Sequence, residues 1–225
     1  MALALDGSNG VIVTSSSTTA AVTLSTAQSN DVIVLVSEAN GVSQTGSTAH
    51  ITSISAGTLS FTNRVLLSLI NNQSIELWYA VAASPLSALS ITATYGTSIV
   101  ATMCAFGISG ANTTTIVDPN GVLPVNNNTA ADPTFSTTDA NTFVIGWLRF
   151  GSIATPTAGT GWTAIYAPTN GYGLLQYQIF SAPQSGTTCN VGTGSGGENG
   201  SVVDAVIAGA ASTAYPLPSQ IYIMP

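Results

Sequence analysis

The chain has 225 residues, with two arginines, no lysine and nine acidic residues, for a formal net charge of −7 and a charged fraction of 5%. That balance excludes a basic stripe able to displace counterions from nucleic acid. Hydrophobic residues make up 45% at a mean hydropathy of +0.41, but they are dispersed, and no run approaches the ~18 apolar residues of a membrane helix.

The N-terminus, MALALDGSNG, has no basic segment before its short apolar stretch and does not read as a secretory signal. Residues 1–19 are expected to form an N-terminal arm. Next comes TLSTAQSNDVIVLV (23–36), in which strand ends lead through a turn at Asn30 into an apolar strand. His50, the only histidine, lies in the polar stretch SQTGSTAHITS and reads as a surface residue. NRVLLSLI (63–70) fits a strand or a helical turn, and periodicity does not choose between them. SIELWYAV alternates: Ile75, Leu77, Tyr79 and Val81 take one face, expected to be core. Glu76 and Trp78 take the other, expected to be wetter. SITATY and IVATMCAFGI complete a first set of strands. Asn-Gly at 9–10, 40–41, 120–121, 170–171 and 199–200 marks tight turns.

A polar bridge, 112–133, contains Asp-Pro twice and reads as a linker or long loop. Beyond it the pattern returns. Thr23, Ser25, Thr26 and Asn30 recur as Thr134, Ser136, Thr137 and Asn141, at an offset of 111. Leu77, Tyr79 and Pro85 recur as Leu175, Tyr177 and Pro183 at an offset of 98, and Ile108-Ser-Gly-Ala recurs as Ile207-Ala-Gly-Ala at 99. Three blocks in one order indicate an internal duplication. The expected fold is therefore all-β: an antiparallel β-sandwich of jelly-roll type with a pseudo-twofold repeat. One sandwich over 20–210, preferred to two small domains, would comprise repeats 23–111 and 134–210. The tail, 211–225, is Pro-punctuated and apolar. Its residues Tyr215, Pro216, Leu217, Pro218, Ile221, Tyr222 and Ile223 are expected to dock on the body or on a neighbouring subunit.

Catalytic chemistry finds no purchase. A Ser-His-Asp triad needs a histidine between nucleophile and carboxylate, and His50 has neither a nucleophile elbow nor a suitable setting. Gly192–Gly197 satisfies G-x-G-x-x-G as a string but lacks the following helix. Cys104 and Cys189 read as two free, buried thiols. No catalytic residue, cofactor or zinc spacing is assigned. Asp118, Asp132 and Asp139 could supply oxygen ligands to Ca²⁺, although turn-starting Asp before Pro explains Asp118 and Asp132 equally well. Trp78 with Glu76 is the candidate glycan face, and a solvated edge carboxylate is the plainer reading of Glu76. Trp147 and Trp162 read as structural.

The order TLST…NDVIVLV, IELWYAVAASPL, SITAT and FGISGA resembles a β-sandwich domain of tailed-phage virion proteins (head decorations, spikes or fibres) and of related bacterial surface proteins. The resemblance spans most of residues 20–210. It implies a non-enzymatic virion structural protein, a capsid decoration or cement-type subunit on the phage particle. Its partners would be further copies of itself and the capsid shell, with neither nucleic acid nor membrane. The alternative is a receptor- or carbohydrate-binding module of a fibre, spike or bacterial surface protein, with a host glycan as partner.

Overall fold

The computed structural model describes residues 1–41, 49–69, 72–128, 132–168, 171–192 and 198–210, and backbone alone for 151–154, 171–172 and 198–199. The strands in chain order are β1 (Ala4–Leu24), β2 (Asp31–Gly41), β3 (Ile51–Ser55), β4 (Thr62–Leu69), β5 (Gln73–Ala82), β6 (Leu89–Ser109) and β7 (Val125–Asn127). They continue with β8 (Thr134–Phe135), β9 (Thr142–Ala154), β10 (Thr163–Tyr166), β11 (Gly171–Phe180), β12 (Thr187–Thr188) and β13 (Glu198–Ile207). Every pairing is antiparallel. The first sheet runs β1-β6-β2-β5-β4 with β3 also on β6; the second runs β7-β13-β9-β11-β10; β8 pairs with β12. No helix among the described residues is long and apolar enough to cross a membrane.

β1 stays paired with β6 along its 21 residues, whereas β6, equally long, changes its second neighbour. From Ile99 to Ile108, β6 lies between β1 and β2; from Thr92 to Tyr95 it lies between β1 and β3. The register shifts around Ser17 mark the change, as bulges do where a strand bends from one layer to another. The sheet thus folds over and encloses a core of its own. Ile33, Leu35 and Met103 face Val22, Leu24, Ile51 and Ile91. In the second sheet, Val144, Leu148, Leu174 and Val203 face Phe135, Trp162 and Cys189. A third apolar layer lies between the sheets: Val32, Val34, Val36, Leu77 and Phe106 meet Phe143, Ile145, Trp147, Leu175 and Val206. Phe106 stacks on Phe143 with centroids 6.4 Å apart.

This layering explains the sequence. DVIVLV is continuously apolar because β2 is buried on both faces, even numbers toward the second sheet and odd numbers toward the outer core. The same fact corrects the expectation of a wetter face on β5. Glu76 is buried, and Trp78, half-buried, packs on the outer core. Residues 1–19, read as an arm, are mostly strand β1, paired with β6. Of the segment 63–70, the described residues 63–69 lie in strand β4, and the bridge contributes β7 to the second sheet. Asn9-Gly10 is no turn: it lies inside β1, where a Cβ on Gly10 would come within 2.5 Å of the Tyr166 ring. Cys104 and Cys189 are buried thiols, not joined in a disulfide. The tail residues Tyr215, Pro216, Leu217, Pro218, Ile221, Tyr222 and Ile223 lie outside the described residues, as does most of the Gly192–Gly197 string.

Candidate functional site

The recurring phrase is a set of clamps. Ser25 and Thr26 follow β1 directly, and Ser136 and Thr137 follow β8. The Ser25 hydroxyl accepts from Ala88 N–H at 2.8 Å, and that of Ser136 from Gly186 at 3.0 Å. Thr26 Oγ1 accepts from Leu86 N–H, and Thr137 Oγ1 from Gln184 N–H, both at 3.0 Å. A buried or half-buried carboxylate closes each turn. Asp6 takes the N–H groups of Ala27 and Gln28, and Asp118 those of Thr138 and Asp139. Burial pulls Asp6 upward, but these N–H groups outweigh it and hold its carboxyl below the usual range.

The few charges point inward. Of the nine acidic residues, Asp31, Glu38, Glu76, Asp118 and Asp204 are buried, Asp6 and Asp139 half-buried, and Asp132 exposed. Both arginines cross from one sheet to the other. Arg64 on β4 donates to Asp204 on β13 through Nε at 2.9 Å, and Tyr79 donates its hydroxyl to the same carboxylate at 3.0 Å. Arg149 on β9 donates through Nε to Glu38 on β2 at 2.8 Å, and through Nη2 to Asn40 at 3.2 Å. Burial pushes Glu38 and Asp204 above the ordinary carboxylate range, against the pull of their arginines. Glu38 and Arg149 occupy one position at the offset of 111, which the sequence reading did not use; opposite charges in register were the available signal.

The proposed ligand residues are engaged elsewhere. Glu76 accepts from Ile51 N–H at 2.7 Å and from the Trp78 indole at 3.0 Å, so both groups of the candidate glycan face are tied to each other. Burial pushes Glu76 upward, with Ile51, Trp78 and His50 opposing. Asp118 spends its oxygens on backbone N–H groups, including Asn120. The described residues contain no group of three or more His, Cys, Asp or Glu placed to hold a metal, and Asp118, Asp132 and Asp139 are not gathered into one. Trp147 is wholly buried and Trp162 packs edge-on against Phe135 and Phe180.

Two features face outward. An open cleft of about 510 Å³ runs beside β4 and β5, lined by Thr58, Thr62, Asn63, Arg64, Val81 and Val117 among others. Val81 and Ile179, in one position at the offset of 98, are exposed apolar residues, as are Leu66 and Val122. Comparison with known protein families, curated proteins and solved structures finds no match to this chain. The phage-virion resemblance therefore rests on sequence pattern, and what the fold supports is an all-β protein of two antiparallel sheets.

Proposed function

We propose that this chain is a non-enzymatic virion structural protein, a decoration or cement-type subunit that packs against a phage capsid shell and against its own copies. The observation that carries the reading is the inward turning of charge. Both cations are committed to carboxylates across the sheets, and five acids are buried. What remains outside is mostly Ser, Thr, Asn, Gln and scattered aliphatic side chains. Such a surface sheds little hydration when it meets a neighbour, and depletion of charge is the mark of interface cores. The edge strand β4 fits this. Free edges are ordinarily blunted by lysine or other charge; β4 carries Arg64 alone, drawn inward to Asp204, and exposes Leu66.

The fold proposal that accompanies it is a pair of duplicated jelly-roll units, packed face to face, in place of one sandwich over 20–210. Counting β1 and β6 as two strands each, the first half has order 1-8-3-6-5 in one layer and 2-7-4 in the other, with the fifth strand, β4, extending the first layer. In the second half β7, β13, β9, β11 and β10 repeat the first order, while β8, β12 and the Ala158–Val191 bridge repeat the second. The matched clamps at Ser25 and Ser136 support descent from one unit. Jelly rolls serve both capsids and lectins, and fold alone selects neither. The second reading, a receptor- or carbohydrate-binding module, draws support from the hydroxyl-rimmed cleft beside Arg64 rather than from Trp78.

Sedimentation separates the two. Shells lacking the protein, incubated with purified chain, should carry it through a density gradient at a saturable ratio. Absence of saturable binding, together with a discrete glycan retained on an array, would overturn the proposal in favour of the second reading.

A further inference from the structure

Asp31 opens β2 and is wholly buried, yet neither of its carboxyl oxygens meets a hydrogen-bond donor among the described residues. A buried carboxylate without a donor is among the most costly groups a fold can hold. Its surroundings offer little help. From β1 it faces the Asp6 carboxylate, and from the 25–30 loop the Thr26 hydroxyl. From β5 its ladder partner is Ala82, and from β6 the neighbour is Gly107. A Cβ on Gly107 would lie 2.6 Å from the Asp6 carbonyl oxygen, 2.8 Å from Thr26 Cγ2 and 3.4 Å from Asp31 Oδ2, so these residues converge where that atom is missing. Met1 lines the adjoining cleft with Ser29 and Asn30. Both arginines are committed elsewhere, to Asp204 and Glu38.

Asp6 is fixed as an anion because it accepts the N–H groups of Ala27 and Gln28. The complement such an anion requires of a neighbouring carboxyl is an acid O–H. We propose that Asp6 and Asp31 share one proton, and that this proton is a pH-operated latch holding the N-terminal strand and the 25–30 loop onto β2. With the proton in place, the Asp31 hydroxyl donates to Asp6, which in turn holds the loop. When it leaves to water, two carboxylates face each other with only the Thr26 hydroxyl on the side of the Asp31 anion, and the relief available is for Asp6 to move out with Ala27 and Gln28. Burial, then Asp6, pushes the Asp31 carboxyl up to about 7, which sets the opening near neutrality.

The second half is a built-in control. Asp118 holds Thr138 and Asp139 in the same manner, but the position of Asp31 is taken at the offset of 111 by Thr142, a buried hydroxyl that does not ionise. Amide exchange followed by NMR from about pH 5 to about pH 9, corrected for intrinsic rates, reads the two loops separately. Ala27 and Gln28 should lose about tenfold or more protection relative to Thr138 and Asp139 as pH rises, one unit of proton linkage or more. Asp31→Thr should abolish that difference. Parallel loss in both loops, or a difference that persists in Asp31→Thr, overturns the latch. Should the variant fail to fold, carbonyl ¹³C titration of the wild-type protein decides. A midpoint for Asp31 near neutrality is expected, and one below about pH 5 refutes it.

Discussion

Arg149→Met tests the account of the buried charges most directly. The Arg149 and Glu38 side chains are 3% and 1% exposed, and the guanidinium Nε lies 2.8 Å from Oε1. Asn40 donates to the same oxygen at 3.0 Å, while Oε2 meets no donor among the described residues. Methionine keeps most of the apolar stem and removes the cation, leaving Glu38 inside with the Asn40 amide alone. Breaking a buried pair in this way costs about 3–5 kcal/mol. At about 2–4 °C per kcal/mol for a domain of this size, the midpoint should fall by about 6–20 °C. Burial already pushes Glu38 upward, so in the variant it takes a proton to fold. The deficit should therefore shrink as pH falls and grow as pH rises. The double variant Glu38→Leu/Arg149→Met, with neither charge, should recover most of the loss. The exchanged pair Glu38→Arg/Arg149→Glu should also recover part of it, because the positions face each other. Urea denaturation at neutral and mildly acidic pH reads all four proteins. A loss under about 1 kcal/mol for Arg149→Met, or a Glu38→Leu/Arg149→Met double variant less stable than Arg149→Met, refutes the reasoning.

Other consequences are open to the same assays. Asp118→Ala should cost about 2–4 kcal/mol, since three backbone N–H groups lose a charged acceptor; a chelator should leave the wild-type midpoint unmoved, and a large drop would revive calcium. Ser25→Ala and Ser136→Ala should each cost about 1 kcal/mol and agree within about 0.5, and strongly unequal values would break the correspondence of the two clamps. Trp78→Phe should lose about 1–2 kcal/mol by stranding Glu76, with glycan-array signal unchanged; a selective loss of sugar binding would restore Trp78 as a contact residue. The Asp31 carboxyl, ordinarily at 3.8, is raised to about 7 in the fold. Its contribution is thus complete below 3.8, declines as pH rises between those values and is lost above about 7, with a ceiling of about 4 kcal/mol. The stability difference between wild type and Asp31→Thr should follow that descent, and a difference that grows from acid to neutral pH contradicts it.

Much of the fold was legible because short runs rich in β-branched and aromatic residues read as strands: DVIVLV became β2 and the run 142–150 part of β9. The opening phrase folds as read, strand end, turn and strand, since Ser and Thr close turns through local backbone geometry. Misreadings arose where a residue answers to a distant partner. Gly10 looks like a turn residue and instead makes room for Tyr166, 156 positions away. Glu76 looks solvated, but Ile51 and Trp78 satisfy it inside the fold. Asp118 has the spacing of a turn starter before Pro, and it is one, yet it also reaches the loop 20 residues on. The sequence assigned the two arginines no partner. Only the folding of one sheet onto the other reveals that each has a carboxylate waiting.

Under the duplication proposed above, the facing of position 38 with position 149 has a consequence for ancestry. When identical chains meet about a two-fold axis, each residue near the axis confronts its own copy, so a glutamate there would oppose a glutamate. An opposite-charge pair between corresponding positions requires two sequences free to diverge. Joining both into one polypeptide supplies that freedom and guarantees equal numbers of each partner. Under that proposal, once Glu38 and Arg149 had parted in sign, neither half could return to pairing with itself without confronting a buried like charge, which would make the covalent union irreversible.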